Sequence, residues 1–154
     1  MPQGITPRKN RGAGVLFALA LAALSIANAF AAPALTQAFS RKTHGTAGDF
    51  DLVLDRLAPL SGNLTVEPRY DTTHRIVLRF NETLTAAGTA SSTTTGGGPI
   101  GNATATFSGT DVTVTLSGIE NARRVSVNLN GVTSASGITN VSVAVGFLVG
   151  DVTN

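Results

Sequence analysis

Past Ala32 the chain settles into a period of two. Phe50, Leu52 and Leu54 share one parity, against Asp49, Asp51, Val53 and Asp55 on the other. His74–Phe80 sets Ile76, Leu78 and Phe80 against Arg75, Val77 and Arg79. Val112, Val114 and Leu116 alternate with Thr113 and Thr115; Val125, Val127 and Leu129 alternate with Ser126 and Asn128; Val141, Val143 and Val145 alternate with Ser142 and Ala144. Strict alternation of this kind marks strands with one face buried. Asp49–Arg56 tolerates a helical count, but its alternation fits a strand better. Leu64–Arg69, Leu84–Thr89 and Ala103–Phe107 are weaker strand candidates.

Turn chemistry falls between these runs. Ser61-Gly62-Asn63, Tyr70-Asp71-Thr72-Thr73, Ser108-Gly109-Thr110, Ser117-Gly118, Asn130-Gly131 and Ser134–Gly137 all favour bends. The polar, glycine-rich stretch Ala90–Asn102 reads as a loop. Seven or eight short strands in roughly 110 residues predict an all-β fold, an antiparallel β-sandwich of the immunoglobulin-like kind. With no Trp and no Cys, membership of the antibody family itself has no support.

The N-terminal segment follows another rule. Arg8, Lys9 and Arg11 precede the apolar run Val15–Ile26, then the small-x-small steps Ala27-Asn28-Ala29 and Ala29-Phe30-Ala31. A positive start, a short apolar centre and a small-residue cleavage site describe a secretory signal peptide. The rival reading is an uncleaved anchor, but the apolar run falls short of the roughly 20 residues that span a bilayer. The expected organisation is therefore a signal peptide over 1–31, a lead-in over 32–48, a sandwich over 49–149 and a short tail over 150–154.

Charge and composition narrow the function classes. The 154-residue chain carries a formal charge of +2. Cleavage would remove three of its 11 basic residues and leave 8 against 9 acidic ones, a net charge of −1. The basic character thus belongs to the leader, and the mature domain has no electrostatic case for nucleic acid. Zero cysteines exclude a disulfide framework, a thiol nucleophile and Cys-ligated metal.

Candidate chemistry is sparse. His44 and His74, the two histidines, sit in no H-E-x-x-H arrangement, and the many serines have no G-x-S-x-G elbow. Asp49, Asp51 and Asp55 share one strand parity, where carboxylates could gather calcium or simply guard an edge strand; the second reading fits better. Glu67, Glu82 and Glu120 are scattered beside turns and give no glycosidase pair. Gly96-Gly97-Gly98 lacks the Lys-Ser/Thr of a phosphate loop, and Arg123-Arg124 reads as a charged turn entering a strand. Glycosylation sequons start at Asn63, Asn81, Asn102 and Asn140. These residues predict no catalytic set, no resident cofactor and no enzyme.

Ser40-Arg41-Lys42-Thr43-His44-Gly45 and Ala47-Gly48-Asp49-Phe50-Asp51-Leu52, with Val66-Glu67-Pro68-Arg69, Ile76–Phe80, Ala122-Arg123-Arg124-Val125 and above all Val141–Asp151, resemble an exported bacterial module. That module commonly precedes a dockerin type I-like repeat in surface or secreted proteins. The resemblance implies a bacterial, secreted or cell-surface, non-catalytic structural or adhesive domain, a spacer before a dockerin-like element. It implies that Gly150-Asp151-Val152-Thr153-Asn154 opens a calcium loop, with Asp151 as first ligand and Thr153 at the third position. Asp151 alone cannot hold the ion, since such a loop needs six or more oxygens. The implied partner is a cohesin-like or cell-surface protein. The alternative is a carbohydrate-binding module of a polysaccharide-degrading system, against which the scarcity of aromatic residues counts: Tyr70, five Phe and no Trp past residue 31.

Overall fold

A computed structural model describes residues 1, 4, 31–69 and 71–148. The expected signal peptide therefore lies almost wholly outside the described residues, as do Tyr70 and the segment 149–154 with Asp151. In chain order the strands are β1 (Leu35–Thr43), β2 (Asp49–Val53), β3 (Val66–Glu67), β4 (Thr73–Phe80), β5 (Leu84–Ala86), β6 (Thr89–Thr94), β7 (Asn102–Ser108), β8 (Asp111–Ser117), β9 (Arg123–Ser134) and β10 (Ile138–Phe147). A 3₁₀ turn, Gly45–Ala47, joins the first two.

One sheet runs β2-β1-β4-β8-β7; the other runs β3-β10-β9-β5, with β6 also paired to β9. Taken in chain order, β1-β4-β8-β7 against β10-β9-β6 is the A-B-E-D and G-F-C arrangement of an immunoglobulin constant-type sandwich. The pairing of β3 with β10 is parallel, an exception to the expected antiparallel order.

The inward parities are the ones the alternation predicts. Ile76, Leu78, Val112, Val114 and Leu116 from one sheet meet Val125, Val127, Leu129, Val143 and Val145 from the other in a single buried cluster. Antibody domains staple their B and F strands with a disulfide. Here β4 and β9 supply Ile76, Leu78, Val127 and Leu129 to that cluster instead, so apolar burial does the joining.

Three expectations are corrected. The stretch 32–48 is not a lead-in, because Leu35–Thr43 is a full strand between β2 and β4. It escapes pattern reading because its buried run, Ala38-Phe39-Ser40, is consecutive and mixed in polarity. Ala90–Asn102 is not all loop, since Thr89–Thr94 pairs with β9 along its whole length; the small side chains of its inward residues Ala90, Ser92 and Thr94 hide the parity. Asp49–Arg56 ends as a strand at Val53, which leaves Asp55 in the following turn.

Candidate functional site

Among the described residues the most buried charge is Glu67, on the two-residue β3, with its side chain 2% exposed. Arg69 lies two residues on, at the same parity, across Pro68. Its Nε donates to Glu67 Oε1 at 2.6 Å and its Nη2 to Oε2 at 2.5 Å. The guanidinium then reaches the other sheet: Nη2 donates to the Ser40 carbonyl at 2.9 Å and Nη1 to the Phe50 carbonyl at 3.0 Å. Burial pushes the Glu67 carboxyl up, but the bonds from Arg69 and Ser40 outweigh it and hold the group below its ordinary value. Charge-assisted forks of this kind fix geometry as well as energy. The cluster is a clasp between the sheets, and only the opposite charges two apart around Pro68 announce it in the sequence.

His74 borders this clasp. Its ring packs on Phe147 with centroids 4.4 Å apart, and burial lowers its pKa, partly offset by the nearby charges of Glu67 and Asp71. His44 meets Phe50 edge-on at 5.2 Å. Among the described residues neither imidazole is hydrogen-bonded to a serine or a carboxylate, so no nucleophile–base pair is assembled.

The second concentration of charge is the outer face of the β2-β1-β4-β8-β7 sheet. Arg41 grips Asp51 with two bonds of 2.7 Å, and Arg79 grips Asp111 with two of 2.8 Å. Arg75 pairs with Asp49 at 3.3 Å, and Thr43 hydrogen-bonds both. Three arginines thus meet three aspartates. Hydrogen bonds from Arg41 and Arg79 depress Asp51 and Asp111, while Thr43 and then Arg75 depress Asp49. Below this lattice lie Phe39 and Val77, buried on the outer face, with the Arg79 guanidinium 5.5 Å from the Phe39 ring centroid.

The remaining candidates disperse. Asp55 leaves the aspartate row and accepts from the Leu57 amide. Glu82 accepts from Ser136, Glu120 pairs with Arg123 at the surface, and Glu67 is in the clasp, so the three glutamates have separate partners. Arg124 donates to the carbonyls of Gly62 and Leu60. Gly96–Gly98 forms the tip of a turn closed by the Thr94 amide on the Gly98 carbonyl. Asn81 and Asn140 spend their side-chain oxygens on the amides of Ala34 and Gly131. Among the described residues no group of three His, Asp or Glu side chains could hold a metal ion. No helix among them is long and apolar enough to cross a membrane.

No protein family, curated protein or solved structure matches this chain.

Proposed function

We propose that this chain is a non-catalytic spacer module of an exported bacterial surface or secreted protein. The observation that carries the reading is the position of the two ends of the described domain. At one pole, Ala34 is bonded to Asn81 in both directions, and Ala32 lies beside Gly137, where β10 begins. At the other pole, where β10 ends, the Leu148 amide bonds the Glu67 carbonyl. The ten residues of β10 separate the poles by about 33 Å. A segment that follows β10 therefore leaves the sandwich at the pole opposite Ala34, set off from the N-terminal end by the length of the domain.

The chemistry agrees with that role. The conspicuous carboxylates are neutralised by arginines of the same fold, which leaves them for cohesion rather than for a substrate. Export and a calcium-dependent docking element beyond Asp151 enter through the leader pattern and the family resemblance. With them come calcium as ligand and a cohesin-like partner.

A carbohydrate-binding role is the second reading, favoured by one surface. The outer face of β6, β9 and β10 carries a neutral network in which Ser126 bonds Asn128 and Ser142, and Asn128 bonds Thr93. Hydroxyls and amides of this kind can hydrogen-bond sugars, although no aromatic ring stands among these four residues for stacking.

The deciding experiment fuses a folded reporter to each end of the domain and measures their separation by small-angle scattering. A separation set by the sandwich length supports the spacer. Reporters that sit side by side overturn it, and so does retention of the unfused domain on insoluble cellulose, xylan or chitin.

A further inference from the structure

We infer that β7 is a homotypic pairing edge, along which two copies of this chain join their β2-β1-β4-β8-β7 sheets antiparallel about a two-fold axis at Ala105. The other sheet margins are blocked. β2 carries Asp49 and Asp51 in ion pairs, β3 is two residues long, β5 is three, and the far side of β6 is taken by residues 98–100, where the Ile100 amide donates to the Ser92 carbonyl and the Thr94 amide to the Gly98 carbonyl. By contrast, β7 reads Asn-Ala-Thr-Ala-Thr-Phe-Ser, with no charge, no proline and an unbroken seven-residue register on β8. Sheets ordinarily protect such margins with charges, prolines or bulges.

Hairpin geometry fixes which backbone groups are free. Ser108 and Asp111 close a two-residue turn whose first central residue, Gly109, has φ +59°, the type II′ form. That closing pair is hydrogen-bonded, and bonded pairs recur at every second residue, so Thr106, Thr104 and Asn102 also face β8. Ala103, Ala105 and Phe107 therefore present their N–H and C=O groups outward, and none of them takes part in a turn or loop hydrogen bond.

Those three positions are self-complementary. An axis through Ala105 sets Ala103 of each copy opposite Phe107 of the other, and Thr104 opposite Thr106. The ladder gains about six inter-chain hydrogen bonds. Phe107 is 44% exposed, beside an open groove that Ala86, Ala87 and Ala105 help to line. Opposed to an alanine, the ring has room to lie across the junction and lose water. The uncharged strand brings no repulsion to this contact.

Sedimentation velocity on protein recovered from a secreting host tests the pairing from micromolar to millimolar concentration. A monomer–dimer equilibrium is expected. Ala105→Pro removes an outward N–H while sparing the bonds to β8, and should weaken the dimer by about tenfold or more. Thr104→Lys/Thr106→Lys sets lysine against lysine and should abolish it. A monomer throughout the range overturns the proposal, even if an unrelated extended peptide binds the edge. A dimer that survives the double lysine substitution, with the β spectrum retained, also overturns it. If Ala105→Pro does not fold, the lysine variant decides alone. Neither result bears on the spacer, which needs one copy.

Discussion

Arg69 holds the Glu67 carboxylate in a two-pronged grip while it bonds the carbonyls of Ser40 and Phe50 on the opposite sheet. This ties β3 to β1 and β2 where a cysteine-free chain can have no covalent staple. Removing one partner of a buried pair strands the other charge in a poorly solvated place. Arg69→Met should therefore lower unfolding free energy by about 3 kcal/mol in urea titrations, near the low end for such pairs because Arg69 keeps some solvent contact. Glu67→Gln/Arg69→Met, which removes both charges, should recover part of that loss. A double variant no more stable than Arg69→Met would mean that the pair does not clasp the sheets.

The titrating groups divide the pH response into two windows. The His74 pKa is lowered in the fold, so between that value and the ordinary value of about 6.5 the unfolded chain binds the extra proton. Its stabilising contribution is complete above about pH 6.5 and fades as pH falls through the folded value. Glu67, Asp49, Asp51 and Asp111 are also lowered, so theirs is complete above the unfolded carboxylate range of about 4 and is lost below it. Urea midpoints should accordingly fall as the pH drops below about 6.5, and fall further below about pH 4 as the carboxylates take up protons. His74→Phe should erase the first fall and leave the second.

The strands that the sequence discloses are those whose parity separates large apolar from polar side chains, such as Val112–Leu116 and Val125–Leu129. β1 and β6 stay hidden because their inward positions are small or hydroxylic: Ala38 and Ser40 on one, Ala90, Ser92 and Thr94 on the other. Their neighbours in the sheet make them strands, and a single-chain pattern cannot display a neighbour. The aspartates show the same limit. Asp49 and Asp51 are legible as an acidic row, but their arginines arrive from β1 and β4, 10 and 26 residues away. Arg69 beside Glu67 is local, yet its bonds to Ser40 and Phe50 depend on how the sheets stack.

Because arginines occupy the aspartate row, millimolar calcium should leave the melting midpoint of the sandwich, truncated after Leu148, unchanged. A clear upward shift would mean that the ion displaces Arg41 or Arg75. The pairs themselves are modest. Asp51→Asn should cost about 0.5–1 kcal/mol in low salt, and less in molar sodium chloride.

Two valines on one outward row separate pattern from environment. Val53, Phe39, Val77, Thr113 and Thr106 lie side by side across all five strands of the charged sheet. By parity Val53 and Val77 both point away from the core, yet Val53 is 66% exposed and Val77 is 0% exposed. Val53 stands on the edge strand, whereas Val77 stands on the central one, flanked by Phe39 beneath the arginine lattice. The stems of Arg75 and Arg79, its neighbours two residues away on the same face, can shed water over it while their charged ends reach Asp49 and Asp111. Val→Thr keeps the shape and adds a hydroxyl, so it measures whether that roof is dry. Val77→Thr should destabilise by about 1–2 kcal/mol, since the new hydroxyl is buried with poor partners. Val53→Thr should stay within about 0.5 kcal/mol, as a surface change on a strand does. Equal costs at the two positions would mean that water reaches Val77 and that the arginines merely pair above it.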